Sequence, residues 1–370
     1  MTGAGQDSTD RLDLWTFSDA HVGTDASHGR RSLSDAIRHS EQGGDQGGPR
    51  FEWDLALDLG DMSGGQAPPQ DDEGREVVEQ FNEGLRVHAR EQVYSLGGNH
   101  DRSAPDEPAN WWWQKWVDPM GEHPGSSGVD RSNRPYPVEG TWERYSFEVG
   151  NILFLMMSDI NEPTQFPGRG VLGGNPGGVV SGETFRWWVD KVESNRDKII
   201  VTAHHYVLKD TTVASGDWEG MRRGSDGRWK THYHGYKELG TPRGASYLYW
   251  VDSVQDGGAF ESYLAEHPGA IDIWMGGHTH THPDDRHGGK SHIERRWGVW
   301  FANISALTAH HGPTSLPMSR VWSFIGDQAV VRCYLHTSDH APQGWYDPVE
   351  RTLPLASSFR WGATPHRDRA

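Results

Sequence analysis

The chain has 370 residues and a formal net charge of −17, which repels a polyanion over most of its surface, so duplex nucleic acid is not an expected partner. Apolar residues make up only 34% of it, but 18 Trp, 11 Tyr and 11 Phe supply enough buriable area for a packed protein with long polar loops rather than a disordered one. The single cysteine, Cys333, rules out an internal disulfide and a thiolate zinc site, and with no apolar run of membrane-spanning length and no room for a secretory leader before Leu12, a cytoplasmic protein without membrane contact is expected.

In chain order, residues 12–17 read as a strand, 32–42 as a helix capped by Ser32, and 53–59 as a second strand. Helical spacing then runs over residues 75–92 and a third strand follows at 93–96. This alternation predicts a parallel core sheet. The runs RYSFEV and ILFLMM, separated only by Gly150 and Asn151, predict an antiparallel hairpin. A helix at 182–194, a strand at 198–203, a helix at 259–267 and a strand at 270–275 come next, then strands at 299–305, 319–325 and 329–335. Mixed segments with two helical groups suggest an α/β fold of two packed sheets with helices outside. One domain over 11–345 with a C-terminal extension, 346–370, is expected. Insertions near 102–141, 160–181 and 207–248 interrupt it, and loops of that length are commonly lids or binding loops.

Five short motifs stand directly after predicted strands. SDAH presents Asp19 and His21, two apart and therefore on one side of an extended backbone. LGDM presents Asp61 behind Gly60, which permits a tight bend. GGNHD carries Asn99, His100 and Asp101; as chain neighbours, Asn99 and His100 face different ways, so one can bind metal while the other meets a substrate. TAHHYV brings His204 and His205, and GGHTH repeats the first spacing with His278 and His280. Taken alone, Asp-x-His is usually a solvated loop, Gly-Asp a turn and a strand-end His a hydrogen-bonding group, whereas Gly-Asn-His-acid is the sharpest single signal. Their common position at C-terminal strand ends, where open α/β sheets bind ligands, makes them a candidate single site.

The ordered set D-x-H, GD, GNHD, H and GHxH resembles the calcineurin-like metallophosphoesterases over roughly residues 12–336. The hairpin resembles that of the purple-acid-phosphatase-like and related phosphodiesterase branches. The resemblance implies a four-layer α/β/β/α sandwich holding two metal ions. Carried over residue by residue, it implies Asp19, His21 and His280 on the first ion, Asn99, His204 and His278 on the second, and Asp61 bridging both. His204 is taken over His205 because the first His after the strand matches the family's usual ligand. His205 then becomes a substrate contact. Where the family often has Pro next, this chain has Tyr206.

Ligands of N and O alone suit Mn, Fe, Zn or Co. Two such ions about 3.5 to 4 Å apart would generate a bridging hydroxide near neutral pH and clamp a phosphoryl group for in-line attack. Hydrolysis of a small phosphate ester is therefore expected, with His100 protonating the leaving oxygen or holding a phosphoryl oxygen. Diesters are favoured because the family's protein phosphatases carry an Arg soon after GD, and GDMSGGQAPP has none. A phosphomonoesterase, a nucleotide pyrophosphatase or nuclease, and a non-catalytic metal-binding scaffold are the other readings. Within the insertions, NWWWQKW at 110–116 reads as a hydrophobic wall, lid, subunit contact or core packing. Arg222 and Arg223 are candidate grips for a phosphate oxygen, near Trp218, His232 and His234. His282 and His287 read as a solvated rim loop.

Overall fold

The protein is described by a computed structural model over residues 10–65, 67–103, 107, 108, 110–160, 178–216, 221–223, 229–231, 247, 248, 250, 251, 258–311 and 315–362. Strands β1 (Arg11–Phe17), β2 (Leu55–Asp58) and β3 (Val93–Ser95) pair in parallel, as the sequence predicts. Helices α1 (Val22–Ser27), α2 (Ser32–Gln42) and α3 (Asp71–Gly84) connect them. There follow α4 (Trp111–Trp116), α5 (Pro124–Ser127), β4 (Glu139–Gly140), the hairpin β5 (Arg144–Val149) and β6 (Ile152–Met157), β7 (Val179–Val180), α6 (Gly182–Ser194) and β8 (Ile199–His204). The chain continues through β9 (Met221–Arg223), β10 (Trp229–Thr231), β11 (Trp250–Val251), α7 (Gly258–Glu266), β12 (Ile273–Gly276), β13 (Ile293–Arg296) and β14 (Val299–Asn303). It closes with β15 (Met318–Ile325), β16 (Gln328–Leu335), β17 (Gly344–Trp345) and β18 (Arg351–Pro354).

Among the described residues two seven-stranded mixed sheets result, and β9 with β10 and β7 with β11 form separate two-stranded pairs. The first runs β17-β16-β15-β1-β2-β3, with β18 also on β16, and the second runs β13-β14-β12-β8-β6-β5-β4. Alternation in β1 explains the layering: Leu12 and Leu14 join the cluster between the sheets, with Leu57, Phe154, Val201 and Met275, while Trp15 and Phe17 face outward under α2 and α3. On the far side, Leu153 and Leu155 of β6 and Trp274 of β12 pack on Trp188 of α6 and Phe260 of α7. The expected four-layer α/β/β/α sandwich is the arrangement found.

Some boundaries differ from expectation for identifiable reasons. Ser32 is not a cap; it is the first residue of α2, and its hydroxyl donates to the Ala20 carbonyl at 2.5 Å, tying the helix to the loop after β1. The helix expected over 75–92 ends at Gly84, because the Glu41 carboxylate accepts the backbone N–H groups of Arg86, Val87 and His88 at 2.8 to 3.0 Å. These donors would otherwise continue the helical ladder. The extension expected from 346 is in part sheet: β18 pairs with β16, and Phe359 is buried in the central core.

The Trp-rich segment is core packing. Trp112, Trp113 and Trp116 of α4 bury against Val77 and Phe81 of α3, and the Trp113 ring lies under Gly97 at the start of the GGNHD turn. Truncating Trp113 to Ala is expected to lower stability by about 3 to 5 kcal/mol, read as a fall in the urea midpoint. A change below about 1 kcal/mol would contradict its burial.

Between α2 and the end of β16, the Nδ1 atoms of His39 and His336 meet at 3.2 Å, and His336 Nε2 contacts Ser319 Oγ at 2.8 Å. Burial, then the Arg38 charge, pulls His39 down to about 4. Burial, then His39, holds His336 well below the ordinary value. Both rings are neutral when folded and take up protons when unfolded below about pH 6.5, so their contribution is full above that pH and is lost as pH falls from there toward about 4. The expected slope is up to about 1.4 kcal/mol per pH unit for each ring. Urea midpoints between neutral and mildly acid pH test this: His336→Gln should flatten the dependence, and an unaltered slope would exclude the pair as its source.

Candidate metal centre

The five motifs converge where the C-terminal ends of β1, β2, β3, β8 and β12 meet across the two sheets. The backbone is bent to bring them together: Asp19, His21, Asp61 and His278 adopt left-handed φ values of 53°, 42°, 57° and 68°. Such conformations persist in non-glycine residues when surrounding structure enforces them, commonly at functional sites. Gly60, at φ 96°, makes the expected tight bend. Gly98 approaches so closely that a Cβ there would lie 2.2 Å from Asp61 Oδ1.

Asp101 locks two of these loops. Its Oδ2 accepts from the backbone N–H groups of Asp61 (2.9 Å) and Gly98 (2.8 Å), and its Oδ1 accepts from Ser63 N–H (2.9 Å). Asp25 does the same for the loop after β14, accepting from Thr308 Oγ1 (2.6 Å) and from the N–H groups of Ala309 and His310 (both 3.1 Å).

Within this frame His280 Nε2 lies 2.9 Å from Asp19 Oδ1 and 3.2 Å from His21 Nε2. His21 Nε2 lies 3.8 Å from Asp61 Oδ2, which is itself 3.1 Å from His205 Nε2. The N–H of His278 donates to Asp19 Oδ2 at 2.8 Å. Among the described residues four groups of potential ligand atoms form, each within 4.8 Å: Asp19 with His21 and His280, Asp61 with His205 and His278, His21 with His100 and His311, and, apart from these residues, His282 with Asp284 and His340; the first two hold the carboxylates of the centre. Asp61 Oδ2 faces both. Asn99 is buried, and its Oδ1 accepts from the Tyr206 hydroxyl at 2.9 Å; the Tyr206 ring packs 4.0 Å from His278.

The geometry reverses the expected order of the two adjacent histidines. His205, not His204, turns into the centre. His204 Nδ1 is turned onto the Tyr206 backbone, 3.0 Å from its N and 3.3 Å from its carbonyl, and among the described residues His204 belongs to no group of potential ligand atoms. Burial, then repulsion from His205, drives His204 down to about 3. His205 instead directs Nδ1 to the Leu59 carbonyl at 2.7 Å, while its buried Nε2 makes no hydrogen bond of good geometry.

The same orientation recurs. His21 Nδ1 meets the Ser63 carbonyl and His280 Nδ1 the His311 carbonyl, both at 2.8 Å. An imidazole that donates from Nδ1 to a carbonyl holds its Nε2 lone pair toward the centre, as ligating histidines do. The donor set therefore fits metal ions. The electrostatics agree: burial opposes charge on Asp61, but His205 and His100 outweigh it and hold the carboxyl low, and His280 and His205 do the same for Asp19. Burial opposes the charge of His205 too, yet Asp61 and Asp19 raise it to about 10. A centre that draws a proton so strongly favours a cation.

His100 stands at the edge, half-buried. Its backbone N–H donates to Asp61 Oδ1 at 2.8 Å, and its Nδ1 meets the Gly65 carbonyl at 2.5 Å. Its ring meets His21 edge-on at 4.9 Å. His311, which the sequence reading missed, stacks on His21 at 3.8 Å and lies 4.8 Å from His100. The available signal was positional: HH at 310–311 follows a parallel strand on the same sheet edge. Arg222 and Arg223 are described only as backbone of β9, and Trp218, His232 and His234 lie outside the described residues. His282 has a neighbour, packing edge-on against His340 at 3.9 Å. Among the described residues no helix is long and apolar enough to cross a membrane.

No family model matches this chain, and no curated protein matches it. Among solved structures it is similar to a dimetal phosphatase from Danio rerio, at 11% identity over 93% of this chain and 99% of that one, with a TM-score of 0.48. It is also similar to GAP50, the anchor in the inner membrane complex of Plasmodium, at 7% identity over 94% and 90%, TM-score 0.44. A third is a conserved uncharacterized protein of Streptococcus pneumoniae described as a predicted phosphoesterase, at 9% identity over 94% and 99%, TM-score 0.35.

Proposed function

We propose that this chain is a calcineurin-like metallophosphoesterase that hydrolyses small phosphate esters at two metal ions, with diesters preferred. The observation that carries the reading is the convergence of three imidazole Nε2 atoms, each oriented through Nδ1, on the carboxylates of Asp19 and Asp61. Asp19, His21 and His280 would hold one ion, and Asn99, His205 and His278 the other, with Asp61 between them. Ions bound there supply Lewis acidity toward the phosphoryl oxygens and lower the pKa of water to give a nucleophile near neutral pH.

The chain's own residues do the rest. Asp101 and Asp25 fix the loops that carry the ligands. His100, anchored through Nδ1 on the Gly65 carbonyl, would meet a phosphoryl oxygen or protonate the leaving oxygen. His311, beside it, offers a second imidazole at the same edge. The lean to diesters rests on GDMSGGQAPP, which lacks an Arg to grip a dianionic monoester.

Purified protein supplied with Mn or Zn is expected to cleave bis(p-nitrophenyl) phosphate faster than p-nitrophenyl phosphate. A faster monoester rate would reverse the preference, and failure on both substrates would favour a non-catalytic metal-binding scaffold. His100→Ala is expected to retain both ions while kcat drops by about 10² to 10⁴-fold. An unaltered kcat with good and poor leaving groups would remove His100 from the chemistry.

A further inference from the structure

The loop after GGHTH carries a further group of ligand atoms that shares no residue with the centre. Residues 282–285 form a turn closed from both sides: the Asp285 N–H donates to the His282 carbonyl and the His282 N–H to the Asp285 carboxylate, each at 2.9 Å. The turn carries His282 and Asp284. The third member, His340, comes from the connection between β16 and β17, which is anchored without help from this loop. There Gln343 Nε2 donates to the His336 carbonyl at 2.9 Å, Ser338 N–H to Gln46 Oε1 at 2.8 Å and Tyr346 N–H to the Cys333 carbonyl at 2.9 Å.

His340 Nε2 lies 2.9 Å from Asp284 Oδ2, and its ring meets that of His282 edge-on at 3.9 Å. One ligand atom from each of the three residues falls within 4.8 Å of the others. A tetrahedral ion with bonds of about 2.0 to 2.2 Å spaces its ligand atoms about 3.3 to 3.6 Å apart, so side-chain adjustments of about an ångström would close the group on one ion. The Asp284 N–H stands 3.5 Å from His282 Nδ1, too long to hold that ring against such a movement. The Tyr346 hydroxyl donates to the Asp284 carboxylate, 3.0 Å from Oδ1 and 2.8 Å from Oδ2, the kind of outer contact that orients a ligating carboxylate. Side-chain exposure of 48% at Asp284 and 25% at His340 lets water complete the coordination. A surface His–Asp ion pair needs one imidazole and is worth little; here a second imidazole is brought within reach of the same carboxylate.

We propose that His282, Asp284 and His340 bind a zinc ion separate from the two of the centre. Two imidazoles and a carboxylate suit zinc, whereas magnesium and calcium take oxygen ligands. The ion would fasten the loop that begins two residues after His280 to the β16–β17 connection. This assignment does not depend on the phosphoesterase reading.

Two measurements on the full chain test it. Crystals grown with a modest molar excess of zinc should show an anomalous peak at the zinc edge within about 2.0 to 2.2 Å of atoms from His282, Asp284 and His340. In solution, after gel filtration into zinc-free buffer to remove loosely held ions, His340→Ala should carry one zinc ion fewer per chain than the wild type by mass spectrometry. No peak at the three residues, or equal zinc content in wild type and variant, overturns the site and leaves an ordinary ion pair of His340 with Asp284. The crystal reading on the wild type stands even if the variant fails to fold. A peak here with none at Asp19 and Asp61 would count against the two-metal centre and not against this site.

Discussion

Asp61→Asn is expected to leave the protein folded but to lower phosphodiester hydrolysis by about 10³-fold or more and to reduce bound metal from two ions to one or none. Asp61 Oδ2 faces both ligand groups, 3.8 Å from His21 Nε2 and 3.1 Å from His205 Nε2, and is the nearer of the two carboxylates to His205, Asp19 Oδ1 lying 4.0 Å from it. Replacing the carboxylate by an amide exchanges one oxygen for NH2 and removes the negative charge that would offset the proposed pair of cations. Changes in residues that merely orient a metal ligand cost about 10 to 100-fold, so losing a shared carboxylate has a larger effect. Metal content by mass spectrometry, with steady-state rates on bis(p-nitrophenyl) phosphate, decides it. A variant that keeps two ions and a tenth of the activity would rule out a bridging role.

The second large effect separates two chain neighbours. His205→Ala is expected to lose one ion and about 10² to 10³-fold in rate, whereas His204→Ala should retain both ions. His205 projects Nε2 between the carboxylates with Nδ1 anchored on Leu59, while His204 is turned back onto the Tyr206 N–H. His204 is buried, so its loss will lower stability, but metal stoichiometry in the folded fraction distinguishes the roles. If instead His204→Ala strips an ion and His205→Ala does not, the orientation at the end of β8 is other than described.

Much of the frame was legible in the sequence because its signals are local. Alternation in LDLWTF, the apolar run ILFLMM around Gly150 and Asn151, and the helical spacing of GETFRWWVDKVES each report on a segment's own period. Signals failed where the deciding partner is remote in sequence. The helix expected to continue to residue 92 stops at Gly84 because Glu41, on another helix, takes the next N–H groups. The strand β18 was read as an extension because only pairing with β16 makes RTLP a strand.

The sequence by itself determined which side chains offer N and O donor atoms, and that each motif stands at the C-terminal end of a strand. The tertiary structure alone decided which of two consecutive histidines faces the centre, since neighbours at a strand end point to opposite sides and only the packed second sheet defines which side is inside. It also brought His311 onto His21. Those placements come from contacts between segments far apart in the chain, for which local spacing holds no signal.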